Sequence, residues 1–310
     1  MPLTLTAGAD DNDRRLDRIL RKALPTLSLP FIYRLLRTKA VWVDGKPACA
    51  SFRVKAGCTI TIVKGAITSP LLRPLPEPVQ PLSAELEVLW EGDGLLAVNK
   101  PAGVDVHGPH GLDKVIGGYL MPRLKERSLS FKPGPLHRLD KPTSGVLIFS
   151  TTLEGAQRFS AFLRKRLVHK RYFAIVEGVV KSSELWQDRL VRDKAAGISR
   201  IAGAEGSLAI TRIFPVGAYG ALSCIIAEPE TGRTHQIRVQ AAAHGHPLAG
   251  DSKYGAHFCT EGLFLHAFSL QFPGLERPII AKPPSSFKKK VLLMGLDLNL
   301  FLKEPQASLL

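Results

Sequence analysis

Between residues 16 and 24 the apolar positions Leu16, Ile19, Leu20, Ala23 and Leu24 recur at intervals of three and four. That spacing lays one apolar stripe along an α-helix and leaves the intervening arginines outside. A second helix is predicted over "PFIYRLLRTK" (30–39), with Pro30 harmless in the first turn and Ile32, Leu35 and Leu36 facing inward. "VWVDGKP" (41–47) predicts a hairpin through Asp44-Gly45, and "TITIV" (59–63) alternates like a strand. Two short helices and a few strands form a self-contained unit assigned to residues 14–64, preceded by a tail at 1–13.

The pattern then changes. "GAITSPLLRPLPEPVQPLS" carries five prolines, each removing a backbone donor and favouring extended chain, so residues 65–84 are read as a semi-rigid linker. Beyond it, "LEVLWEGDGLLAVNKP" gives two β-rich runs around Gly92-Asp93-Gly94, and "SGVLIFS", "KRYFAIVEG" and "ALSCIIAEP" are also strand-like. Thr151 followed by Glu154 is a capping-box pattern, with Ala156, Phe159, Leu163 and Leu167 on one helical face. Strands that do not alternate regularly with helices predict an α+β domain at 85–303 with a mixed, largely antiparallel sheet, and a tail at 304–310.

Composition narrows the class. No run of about 18 uninterrupted apolar residues suggests a membrane span. The opening "MPLTLTAGADDNDRR" lacks the basic, apolar and small-residue order of a secretory signal, so a cytoplasmic location is expected. Cys49, Cys58, Cys224 and Cys259 are scattered without metal-ligand spacing and read as reduced packing residues. The net charge of +15 points to a phosphate polyanion as partner. It is concentrated at 14–64, where twelve basic residues face only Asp17 and Asp44, a net of +10. A solvated face mixes its signs, so this unit is expected to contact nucleic acid.

"PLHRLDKPTSGVLIFS" (135–150) sets Asp140 between Arg138 and Lys141, directly before an apolar run. A carboxylate at a loop-to-strand junction can face a cleft, and neighbouring cations favour its ionised form, which can serve as nucleophile or base. A lone motif of this kind is as compatible with a surface salt bridge. "ETGRTHQIRV" (230–239) is read as a turn followed by a strand, on which Arg233 and His235 share a face with Ile237 while Arg238 points away. A guanidinium from this stretch could hold a catalytic carboxylate. His244 and His246 in "AHGHPLAGDSKYG" make a poor metal site, and no metal is expected.

Together, "HRLDKPTSG", "TGRTHQIRV", "GHPLAGDSKYG", "KRYFAIVEG" and "LLAVNKPAGVDVHG" resemble the motifs of the RluA-type family of RNA pseudouridine synthases, in that family's order. The basic unit is similar to the S4-like RNA-binding domain that precedes the synthase domain in the branch acting on large-subunit ribosomal RNA. The resemblance implies the pseudouridine synthase fold and the isomerisation of uridine, in which the C1′–N1 bond breaks, the uracil rotates and is rejoined through C5, with no cofactor.

It places the catalytic aspartate at Asp140, the active-site tyrosine at Tyr172, and the paired arginine at Arg233 or Arg238; strand alternation favours Arg233. Arg138 is expected to fill the space left by an extruded base, with His137 and Thr143 also touching RNA and Ile237 and Leu265 lining the pocket. In the basic unit, Arg18, Arg21, Arg34, Arg37 and Lys39 are the expected RNA contacts. Gln240 stands where the family commonly has histidine. The implied partner is large-subunit ribosomal RNA or an assembling ribosomal particle, met by a monomer without a membrane. A non-catalytic RNA-binding protein and a carboxylate-based glycoside hydrolase are the competing classes; the latter generally wants two carboxylates, and the motifs supply one.

Overall fold

The apolar stripe at 16–24 folds as the spacing predicts. In the computed structural model, which describes residues 2–63, 86–120, 122–123, 128–257 and 262–295, helix α1 spans Leu16–Ala23 and buries Leu16, Ile19 and Leu20. Helix α2 (Leu29–Arg37) carries its proline in the first turn and buries Ile32, Leu35 and Leu36. The strands of this module are β1 (Leu3–Thr6), β2 (Arg14–Arg15), β3 (Val41–Val43), β4 (Lys46–Pro47), β5 (Arg53–Val54) and β6 (Thr59–Ile62).

The order β1-β6-β3-β4 makes one antiparallel sheet, and β2 pairs with β5. Asp44 and Gly45 turn β3 into β4 with φ of 47° and 76°, the positive values of a two-residue hairpin turn. One prediction fails here: residues 3–6 are not a tail. Leu3 pairs with Ile62 and Thr6 with Thr59, because the Leu-Thr alternation has the period of a strand and sends Leu3 and Leu5 onto the module's core.

The proline-rich linker and the C-terminal tail lie outside the described residues, as does Cys259. The larger domain contains β7 (Val88–Gly92), β8 (Leu95–Lys100), β9 (Gly134–Pro135), β10 (Ser144–Ser150), β11 (His169–Glu177), β12 (Glu184–Asp193), β13 (Ile198–Ala202), β14 (Ser207–Tyr219), β15 (Leu222–Pro229), β16 (Leu265–Gln271) and β17 (Ile279–Ile280). Its helices are α3 (Leu112–Leu120), α4 (Leu153–Arg164), α5 (Gln236–Ala243) and α6 (Ser285–Leu293). The strands form one sheet in the order β13-β12-β14-β15-β11-β16-β10-β8-β7, with β9 beside β10 and β17 beside β16. Every pairing is antiparallel except β10 with β16, so the sheet is mixed and largely antiparallel, in the α+β class predicted.

Both faces of the central strands are covered. Alternate residues of β11 divide between two cores: Tyr172, Ala174 and Val176 face α3 and α5, and Phe173 and Ile175 face α6. At β8 and β10, Leu95, Ala97, Val146 and Ile148 face Phe159 of α4. This double burial is why "SGVLIFS" reads as a continuous apolar run rather than an alternating one.

Helix α4 is capped by Thr152, whose Oγ1 accepts from Gly155 N at 3.1 Å, and not by Thr151. The helix ends at Arg164, leaving Leu167 outside its apolar face and exposed. The expected packing role suits the buried Cys224 and not the exposed Cys49. No helix among the described residues is long and apolar enough to cross a membrane.

The strand expected across "TGRTHQIRV" is a helix from Gln236 onward. Gln236 Oε1 accepts from Arg233 N at 3.0 Å and from Thr231 Oγ1 at 2.8 Å, while its Nε2 donates to Ile210 O and Thr211 Oγ1. These bonds knot the turn and launch α5 from His235, which sits at φ 56°.

Where β10 meets β16, Gly145 has φ of 120°, and a Cβ on it would lie 2.1 Å from Ala267 O. Gly145→Ala is therefore expected to destabilise the protein by roughly 3 kcal/mol or more, through overpacking and a disfavoured backbone. Chemical denaturation of the variant checks this, and a loss under about 1 kcal/mol would contradict the tight junction.

Candidate active site

Asp140 lies on the loop between β9 and β10, which the junction at Gly145 holds against the rest of the sheet. Its side chain is 16% exposed and opens on a cleft of about 390 Å³. The cleft walls include Asp140, Tyr172, Ile237, Arg238 and Leu265, so the structure gathers these expected residues in one place.

Arg238 Nη1 stands 3.6 Å from Asp140 Oδ2. Its other two donor positions are taken: Nε and Nη2 each donate to Asp251 at 2.7 Å. This bidentate pair is sealed, with Arg238 6% and Asp251 1% exposed at the side chain. The geometry fixes the guanidinium plane and leaves one edge for the Asp140 carboxylate.

The expectation that Arg233 would hold this place is overturned. Alternation has no meaning once the segment is helical, and Arg233 turns instead to Leu208 O, with Nε donating at 3.0 Å.

His235 Nε2 is 3.8 Å from Asp140 Oδ1. Burial pushes this histidine below its ordinary value, against the pull of Asp140 and with help from Arg238, so the ring is neutral near pH 7. Its Nδ1 is 2.8 Å from Tyr254 Oη, which in turn accepts from Ser199 N at 2.8 Å. Tyr254 Oη thus ties the His235 ring to β13 and turns its Nε2 towards Asp140.

Both neighbours thus approach the carboxylate from beyond hydrogen-bond length. The carboxylate is oriented by charge but not locked.

Tyr172 projects from β11 into the same cleft, 9% exposed. Burial, and then the nearby Asp140, raise its phenol above the ordinary tyrosine value, so it stays protonated. Ile237 and Leu265 complete an apolar surface beside it. The rim is cationic: Arg138 is exposed and lines the opening, with Arg166 and Lys170 further along.

Two further expected contacts, His137 and Thr143, line the cleft but are largely buried. His137 Nε2 accepts from Ile148 N at 3.1 Å, its Nδ1 is shut off from solvent, and burial together with Lys170 holds the ring well below its ordinary value. Thr143 is 2% exposed; its N donates to Asp140 O at 3.0 Å, tying the loop turn that presents the carboxylate. By contrast Arg18, Arg21, Arg34, Arg37 and Lys39 all stand exposed on the N-terminal module.

Lys100 escaped the sequence reading. It ends β8 fully buried, and its Nζ donates to Pro101 O (2.9 Å), Val104 O (2.6 Å) and Lys141 O (3.1 Å). The ammonium staples the loop after β8 to the residue beside Asp140. Burial lowers it to about 8, opposed by Asp105 and Asp140. Asp251, in the same glycine-rich stretch as His244 and His246, serves Arg238, and no group of His, Cys, Asp and Glu that could hold a metal occurs among the described residues.

A family model described as RNA pseudouridylate synthase matches residues 94–243, which contain Asp140, Tyr172 and Arg238, and the S4 domain model matches 14–60. The chain is 32% identical over 287 residues to the ribosomal large subunit pseudouridine synthase C of Vibrio cholerae, covering 87% of this chain and 89% of that protein. The chain belongs to the RNA pseudouridine synthase family. It is also 32% identical over 280 residues to the protein of the same name from Escherichia coli K12, covering 85% and 86%. Among solved structures, human RNA pseudouridylate synthase domain containing 4 shares the fold at TM-score 0.59 and 23% identity, over 68% of this chain and 94% of that one. Human RNA pseudouridylate synthase domain containing 1 gives TM-score 0.54 and 26% identity, over 67% and 86%.

As a pseudouridine synthase, this chain is an isomerase acting on RNA, and its geometry separates the two arginines experimentally. Arg238→Lys, which keeps charge but cannot hold Asp251 bidentately while reaching Asp140, is expected to lower kcat by roughly 10²-fold or more. Arg233→Ala is expected to leave kcat within about tenfold. Single-turnover rates on RNA check the pair, and the reverse ranking would reinstate Arg233.

Proposed function

We propose that this synthase converts uridine to pseudouridine in large-subunit ribosomal RNA, with Asp140 as the group that starts the reaction. The observation that carries the reading is the state of the acidic groups in the cleft and behind it. Asp251 is consumed by Arg238, and Glu230 by Arg212, whose Nε donates to it at 2.8 Å. Asp140 has its charge compensated at 3.6 Å but makes no hydrogen bond of normal length to that cation. A carboxylate in that condition can reach C1′ as a nucleophile, or take the 2′ proton as a base. This single uncommitted acid is a poor fit to paired-carboxylate glycoside hydrolysis.

The remaining residues take complementary parts. A uridine in folded RNA enters by extrusion, and Arg138 at the rim stacks or hydrogen-bonds in the space it leaves. The uracil lies against Tyr172, Ile237 and Leu265. Rotation of the freed base needs an apolar wall that makes no directional bond, and these side chains supply one. Tyr172 packs on the ring face; with its phenol held protonated, it can take the C5 proton only as a relay, passing its own proton on as it accepts. Arg238, clamped by Asp251, stabilises the Asp140 carboxylate and limits its rotamers.

The ribosomal substrate is supported by the names of the relatives and by the charge of the N-terminal module. An RNA of this kind, naked or in an assembling particle, is met in the cytoplasm, and one reacting carboxylate per chain gives no reason to require more than a monomer.

RNA carrying tritium at uridine C5 tests the reaction. Wild type is expected to release label from a large-subunit ribosomal transcript, and Asp140→Asn to slow release by roughly 10⁴-fold or more. No release by wild type, or undiminished release by the variant, rejects the reaction or the role of Asp140 respectively. Replacing Arg18, Arg21, Arg34 and Arg37 together with alanine is expected to reduce the slope of log Kd against log salt by about 3. An unchanged slope in filter binding would show that this face meets something other than RNA.

A further inference from the structure

Asp11 is fully buried yet belongs to no part of the reaction. It sits in a short turn at Ala9–Asp11, before the S4 match begins at residue 14. Its carboxylate accepts from its own module only through Gly8 N, at 3.0 Å. The other donors come from the catalytic domain, more than a hundred residues away: Ser128 Oγ at 2.9 Å, Leu129 N at 2.8 Å, Ser130 N at 3.0 Å, and the Ser130 hydroxyl.

Three further contacts surround it. Arg14 Nη1 donates to Ser130 Oγ at 2.8 Å, Asp10 Oδ1 accepts from Leu153 N at the start of α4 at 2.9 Å, and Leu129 packs against the N-terminal core.

A buried carboxylate costs several kcal/mol to desolvate, and that cost is offset only while its donors stay in place. Sliding or rotating the modules would strip Asp11 of every partner but Gly8. The arrangement therefore admits one relative orientation.

We propose that Asp11 is a positioning residue for the reaction: it locks the N-terminal module to the catalytic domain, so that the cations of α1 and α2 stand at a fixed distance from Asp140 and one RNA engages both. The inference rests on the RNA reading above for its functional half. Two surfaces held rigidly raise each other's effective concentration on a shared ligand, whereas two surfaces joined only by a chain segment gain less. The lock thus strengthens binding and restricts which uridine reaches the cleft, while leaving the chemistry at Asp140 untouched.

The test uses the full-length chain with Asp11→Ala, Ser130→Ala and Ser130→Thr. Ser130→Ala removes the hydroxyl shared by Asp11 and Arg14 without touching the Asp11–Gly8 turn, so it remains informative if Asp11→Ala fails to fold. Hydrogen exchange without RNA is expected to accelerate about tenfold or more at the Leu129 and Ser130 amides in Asp11→Ala. On C5-tritiated large-subunit ribosomal transcript, KM is expected to rise about tenfold in both alanine variants with kcat within about twofold, and Ser130→Thr to restore it.

Unchanged exchange would show that the contact does not hold the modules in solution, and faster exchange with unchanged KM would show that RNA binding does not use it. Both overturn the proposal. A wild type inactive on this transcript would also overturn its functional half, and the exchange experiment, which needs no RNA, would separate that failure from a failure of the lock.

Discussion

The site depends on the buried ion pair between Arg238 and Asp251. If Asp140 is the group that reacts, as proposed above, a guanidinium beside it creates a conflict: a free arginine would swing in, make two short bonds and neutralise it. Here the fork is already occupied, with both bonds to Asp251 at 2.7 Å and water kept out. What remains for Asp140 is a single edge at 3.6 Å, close enough to attract the carboxylate and too far to hold it. Breaking such a pair from either side leaves an uncompensated charge in the interior, a loss of roughly 3–5 kcal/mol. The same bond is thus structural for α5 and electrostatic for the cleft.

The scaffold delivers these groups from four directions with little slack. Asp140 comes from the loop entering β10, pinned by Thr143 from within and by Lys100 from behind. Tyr172 comes from β11, Arg238 from α5, and Asp251 from the loop after it. Strands β10 and β11 both pair with β16, which fixes the distance between the aspartate's strand and the tyrosine's. The tight approach at Gly145 is part of this arrangement, since a side chain there would push β10 off β16 and carry the Asp140 loop with it.

Much of this was legible in the sequence, for identifiable reasons. The N-terminal helices have one wet and one dry face, so their period shows; the hairpin at Asp44-Gly45 has turn chemistry that few other residues share. Asp140 stands out as a lone carboxylate among cations at a loop-to-strand junction, its expected role and that of Tyr172 come from motif resemblance, and alternation favours Arg233 where the structure sets Arg238. Helix α5 defeated the pattern because Gln236 through Ala241 are all buried, which erases the amphipathic signal that separates a helix from a strand. The polar residues among them are satisfied by partners distant in sequence: Gln240 by Trp186 O and Asp188, and Arg238 by Asp251. Lys100 was hidden for the same reason, since a lysine ending an apolar run looks like a strand terminus until its three carbonyl acceptors are in view.

The two modules divide recognition in a way that neither could manage alone. On the proposed reading the cleft takes one extruded nucleotide, so its polar lining, which includes Thr143, Glu230, His235 and Gln236 beside Asp140 and Arg238, meets little beyond that nucleotide. On the same reading the cations of α1 and α2 meet phosphate, which is identical along the chain and carries no sequence information. Selectivity among many uridines then falls on geometry: the RNA's own shape has to bring a phosphate path and a flippable base to two places at once. Such matching discriminates only as sharply as the distance between those places is defined, which gives a physical reason for a fully buried carboxylate at a module boundary far from the reacting atoms.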